Sequence, residues 1–66
     1  MRIRLNGEPR DFADGLTIQQ LLDELGIDPR RVAVEHNLTI VKRHRYDTTA
    51  INEGDEVEIV NFVGGG

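Results

Sequence analysis

Apolar and charged residues alternate from Arg2 to Leu5, with Ile3 and Leu5 on one side and Arg2 and Arg4 on the other, the period-two pattern of a half-buried strand. Asn6-Gly7 follows. Both residues tolerate positive φ, so the dipeptide predicts a two-residue hairpin whose return strand runs through Pro9 to Phe12. Pro9 has no N–H to give a ladder and is expected at the start of that strand. The period then changes. Ile18, Leu21, Leu22 and Leu25 fall at i, i+3, i+4 and i+7, opposite Gln19, Gln20, Asp23 and Glu24, which predicts an amphipathic helix. Thr17 stands where an N-cap is needed, and Gln20 completes a capping box. Gly26 can take the left-handed conformation that closes a helix, and Pro29 blocks any continuation.

Alternation returns at Val32 to Glu35, a third strand with Val32 and Val34 on one face. His36-Asn37 reads as a turn, and Thr39 to Val41 as a short fourth strand. No period runs from Lys42 to Ile51, which predicts an irregular connection with one helical turn near Tyr46. Asn52-Glu53-Gly54-Asp55 has turn chemistry, and Glu56 to Phe62 is the last strand. The order is β-β-α-β-β-β. One helix with a single apolar stripe must cover one sheet, so the expected fold is α+β, a mixed sheet of about five strands packed on one helix. Residues 1–66 read as a single domain, because a chain this short buries only about 60% of the surface its unfolded form exposes. Residues 64–66 read as a flexible tail.

Composition narrows the function classes. With no cysteine the core is held by apolar packing alone, as expected of a reducing compartment, and the chain reads as cytoplasmic. Its first residues lack the apolar run of a signal peptide or membrane span, so no membrane partner is expected. A net charge of −4 argues against nucleic acid, whose phosphates require clustered Lys and Arg. It favours encounter with basic proteins. The one basic run, Lys42-Arg43-His44-Arg45, reads as a solvated loop, with docking as the lesser alternative.

Conventional catalysis finds few side chains to use, since the chain has no Cys and no Ser. His36 and His44 have no partners at metal-ligand spacing and read as two exposed histidines, so no metal site is expected. Glu53, Asp55, Glu56 and Glu58 lack the spacing of a calcium loop, and Glu56 and Glu58 are expected on a solvent face.

What remains is Val63-Gly64-Gly65-Gly66, directly after the last strand. Glycine orders at the highest entropic cost of any residue, so three in succession extend a sheet poorly and should project. They reach at most about 10 Å and could enter a channel too narrow for any Cβ. A carboxylate delivered there is inert until activated, most simply as an acyl-adenylate made by an enzyme that brings ATP and magnesium. A sulfur donor could then convert it to a thiocarboxylate. The alternative is a frayed end or an expression remnant.

Asn6-Gly7, Thr17 with Leu21-Leu22, Val32-Ala33-Val34-Glu35, Asn37, Ile40-Val41, Gly54-Asp55, Val57-Glu58-Ile59-Val60 and the terminal glycines, taken in order, resemble the ThiS family of thiamine-biosynthesis sulfur carriers over essentially the whole chain. The resemblance implies a ubiquitin-like β-grasp fold that binds no cofactor and acts as a co-substrate rather than an enzyme. It implies a Gly66 carboxylate adenylated by a ThiF-type adenylyltransferase, converted to a thiocarboxylate by way of a sulfur donor protein, and consumed by a ThiG-type thiazole synthase, with Gly65 beside it. Gly64 is a third glycine where some relatives carry another small residue, and Lys42 stands where proline is often expected, which bears on how the fourth strand ends. Val60, Phe62, Val63 and Gly64 are candidate partner-binding residues, because Val60 and Phe62 fall opposite Val57 and Ile59. Burial of Phe62 in the core by a bulge is the competing expectation. Rival functions are the small subunit of molybdopterin synthase, an isopeptide-forming modifier and a β-grasp binding module.

Overall fold

The computed structural model describes residues 1–62, so Val63, Gly64, Gly65 and Gly66 lie outside the described residues. The alternating segments form β1 (Arg2–Leu5), β2 (Glu8–Asp11), β3 (Val32–His36), β4 (Thr39–Val41) and β5 (Glu56–Asn61). The amphipathic segment forms α1 (Ile18–Leu25), and short 3-10 turns cover Pro29–Arg31 and Arg43–Arg45.

The five strands make one mixed sheet in the order β2-β1-β5-β3-β4. Two antiparallel hairpins, β1 with β2 and β3 with β4, flank β5, which runs parallel to β1 and antiparallel to β3. The last strand in sequence is therefore the middle strand in space.

Both hairpins turn on an asparagine. Asn6 and Gly7 have φ of 50° and 82°, the mirror-image geometry that matches strand twist. The second turn lies at Asn37-Leu38, one residue later than the His36-Asn37 expected from sequence, because His36 pairs with Thr39 and extends β3. Leu38 has φ 70°, where glycine is the usual occupant. Pro9 is the second residue of β2 rather than its first. The ladder tolerates it there. The Arg4 and Asn6 amides donate to the Asp55 carbonyl just before β5 and the Val57 carbonyl within it (both 2.9 Å), so Ile3 and Leu5 bond to β2, and Pro9, opposite Arg4, faces the open edge where no donor is needed. β2 ends at Asp11 and β5 at Asn61, each one residue short of expectation, although the Phe12 amide still donates to the Met1 carbonyl (2.9 Å).

Thr17 accepts from the Gln20 amide (3.2 Å) and its own amide donates to the Gln20 side chain (2.9 Å), the expected capping box. Gly26, at φ 68°, closes the helix, and the Ile27 amide reaches back to the Leu22 carbonyl (2.9 Å). Ile18, Leu21 and Leu22 are fully buried against Ile3, Leu5, Val32, Val34 and Val57 from the strands, with Leu25 packed at the margin.

Tyr46 and Ile51 complete the core, although they come from the segment without period. That segment also serves the helix N-terminus, since the Ile18 and Gln19 amides donate to the Thr49 (3.0 Å) and Tyr46 (2.9 Å) carbonyls.

Candidate functional site

β5 presents two different faces to its surroundings. Val57 and Ile59 point toward α1, while Val60 and Phe62 stand on the outer face at 59% and 61% exposure. Phe62 is thus outside the core, and the Phe62 amide donates to the Arg31 carbonyl (2.9 Å), which holds the backbone in register to the last described residue. The register sets Val60 against Ala33 and Glu58 against Glu35 on that outer face, with Ile40 beyond Glu35 on β4. Two carboxylates opposite one another repel. Neither they nor Glu56 forms an ion pair among the described residues, so the face combines exposed apolar side chains with uncompensated negative charge. Such a surface suits a partner that is apolar at its centre and basic at its rim.

β5 is held by side chains as well as by its ladder. The parallel pairing with β1 is short, and Asn6 extends it: its Oδ1 accepts from the Ile59 amide (2.7 Å) and its Nδ2 donates to the Ile59 carbonyl (3.3 Å). Asn37 does the same on the other side, its Oδ1 accepting from the Glu56 amide (2.9 Å) while its own amide donates to the Glu56 carbonyl (2.8 Å). Each turn asparagine therefore also clamps the central strand.

Asp55 ties the start of β5 to the second hairpin. Its carboxylate accepts from the Asn52 amide (2.8 Å) and from Asn37 Nδ2 (3.2 Å), and it lies 2.7 Å from His36 Nε2. Burial pushes the Asp55 carboxyl up, but the hydrogen bonds from His36, Asn52 and Asn37 outweigh it and hold the group below its ordinary 3.8. His36 is therefore a half-buried structural partner, which corrects its reading as an exposed histidine. His44 is exposed as expected. His36 reaches Asp55 because β3 extends through His36, opposite Val57, which sets the imidazole beside the Asn52–Asp55 turn.

No group of three or more His, Asp or Glu side chains among the described residues could hold a metal ion, and no helix among them is long and apolar enough to cross a membrane. Of the residues singled out from sequence, Val60 and Phe62 are brought together on the outer face. Val63, Gly64, Gly65 and Gly66 lie outside the described residues. Sequence reasoning missed the Asn6 and Asn37 clamps and the His36–Asp55 pair. Turn chemistry alone explained both asparagines, and nothing local shows that each turn abuts β5.

A family model described as the ThiS family matches residues 3–66. The sulfur carrier protein ThiS of Bacillus subtilis is 38% identical over 65 residues, covering 97% of this chain and 98% of that one. The thiazole synthase of Paramagnetospirillum magneticum is 52% identical over 66 residues, which is all of this chain and 20% of that protein. The chain spans about a fifth of the length of the curated thiazole synthases it matches. A crystal structure of the thiamine biosynthesis protein ThiS from Geobacter metallireducens superposes with a TM-score of 0.88 at 35% identity, with full coverage of both chains.

Proposed function

The chain belongs to the ThiS family of sulfur carriers, and on that premise we propose that its working group is the carboxylate of Gly66, with Gly65 and Gly64 as the slender lead that brings it into partner active sites. A ThiF-type adenylyltransferase, using its own ATP and magnesium, joins the carboxylate to AMP and releases pyrophosphate. Sulfide delivered by a donor protein then attacks the acyl carbon, AMP leaves, and a thiocarboxylate remains. A ThiG-type thiazole synthase takes that sulfur into the thiazole of thiamine. The chain itself supplies no acid, base or metal and is a co-substrate in the cytoplasm rather than an enzyme.

The observation that carries this reading is the family match through residue 66, which includes the glycine run. The similarity to thiazole synthases, in which a region like this one occurs within the same polypeptide, supports a thiazole synthase as the partner. Docking is assigned to Val60, Phe62, Val63 and Gly64. The exposure of the first two, shortly before the glycines in sequence, supports it.

The test is the intact mass of the protein after co-expression with a ThiF-type enzyme and a sulfur source. One oxygen exchanged for one sulfur, localised to Gly66, is the expected result. An unchanged mass beside a demonstrably active partner would sink the proposal. A residue appended after Gly66 should abolish the exchange while leaving the fold intact.

A further inference from the structure

The two edges of the sheet are finished differently. On β2 the edge-facing backbone position is Pro9, which has no N–H, and its strand neighbours Glu8, Arg10 and Asp11 are charged. Such an edge resists pairing with another strand. On β4 the corresponding position is Ile40. Odd-numbered residues of β3 bond to β5, since the Asn37 amide donates to Glu56 (2.8 Å) and the Arg31 carbonyl accepts from Phe62 (2.9 Å), so even-numbered ones bond to β4. Ile40, opposite Glu35, therefore turns both its N–H and its C=O to the open edge. The Lys42 amide has the same parity and makes no hydrogen bond among the described residues. β4 contains neither proline nor charge, and Ile40 and Leu38 are 71% and 80% exposed.

An open groove of about 410 Å³ runs beside this edge, lined by His36, Thr39, Val41, Lys42, His44 and Arg45 among others. No acidic side chain lines it, on a chain whose net charge is −4. Lys42, Arg43 and Arg45 form no ion pair among the described residues; of the other arginines, Arg2, Arg30 and Arg31 do, while Arg4 donates to the Gly7 carbonyl and Arg10 lies over the Phe12 ring. The basic run is therefore concentrated where the backbone is also unpaired.

We propose that the β4 edge and this groove take an extended acidic segment of a partner protein as an added strand. The Ile40 N–H and C=O and the Lys42 N–H supply the ladder, the Lys42 carbonyl being held by the Arg45 amide (2.8 Å), while Lys42, His44 and Arg45 receive carboxylates, and Leu38 and Ile40 flank the apolar positions. The carboxylates must come from the incoming segment. A second copy joined through its own β4, Thr39–Val41, would bring none. The proposal uses none of residues 60–66, so it does not rest on sulfur transfer.

The experiment is an NMR titration of the full chain with an acetylated, amidated seven-residue peptide alternating Glu and Val, with a Lys and Val peptide as control. Saturable shifts at Thr39 to Lys42 are expected, with hydrogen exchange at the Ile40 and Lys42 amides slowed about tenfold. Lys42→Glu combined with Arg45→Glu should weaken binding about tenfold or more. Lys42→Pro should weaken it also, and because Lys42 already has φ −71° this variant keeps the fold if the double variant does not. Absence of saturable binding, equal binding of the lysine peptide, or shifts centred on β2 would overturn the proposal. So would peptide-free broadening of Ile40 that grows with protein concentration, which would assign the edge to a second copy. Pyrophosphate reproducing the shifts at residues 42–45 without slowing Ile40 would make it an anion site and overturn the added strand.

Discussion

Leu38 breaks two local rules together, since it holds φ 70° and leaves a large apolar side chain in solvent. A left-handed conformation costs a residue with Cβ about 1–2 kcal/mol, partly offset by the greater unfolded freedom of glycine, about 0.4–1 kcal/mol. Leu38→Gly should therefore raise stability by about 0.5–1 kcal/mol, read as a higher urea midpoint at constant slope. A lowered midpoint would show that the leucine side chain contributes packing. Asp55 acts through charge. Its folded-state carboxyl sits below 3.8, so its contribution is complete above the unfolded value and is lost as pH falls through the folded one. The melting temperature should fall below about pH 4. Asp28, held at about 2 first by its hydrogen bond from Arg30, adds to the loss at still lower pH. Asp55→Asn should melt lower at neutral pH and lose part of the acid-induced drop, and an identical pH profile would remove Asp55 from the account.

At the scale of elements, α1 has no acidic residue in its first turn and no basic residue in its last, so its ends depend on hydrogen bonds rather than charge. Thr17→Ala removes the acceptor for the Gln20 amide but keeps the backbone amide that donates to the Gln20 side chain, and should destabilise by about 0.5–2 kcal/mol, with Thr17→Ser close to the parent. Equal stability of Thr17→Ala and the parent would mean that the carbonyls of Thr49 and Tyr46 suffice to hold that end. The strands divide along a similar line. Edge strand β2 is closed to pairing by Pro9 and its charges, β4 is open, and β5 is clamped from both sides by asparagines.

For the whole molecule the core and the outer face are separable. Folded chains are stable by roughly 0.05–0.15 kcal/mol per residue, so a small domain has little margin. Leu22 is fully buried, and Leu22→Ala should cost about 2–5 kcal/mol, enough to unfold much of the population at ambient temperature. Phe62→Ala lies outside the core and should change stability by no more than about 0.5 kcal/mol while weakening capture by the proposed adenylating partner. Pulldown and melting curves on both variants separate the two roles. Loss of melting temperature in Phe62→Ala would return that side chain to the core.

The sequence by itself determined the elements and most of the core, because periods of two and 3.6, a capping box, a helix-ending glycine and an Asn-Gly turn are local rules that chain neighbours enforce. It also displayed the glycine run on which the proposed chemistry depends. Tertiary structure decided what local rules do not encode. It placed β5 at the centre of the sheet, buried Tyr46 and Ile51 from a segment without period, turned Asn6 and Asn37 into clamps, and joined His36 to Asp55 across nineteen positions. Each of these depends on which strands become neighbours, a choice made by burying one apolar face across the whole sheet at once, and no window along the chain contains it.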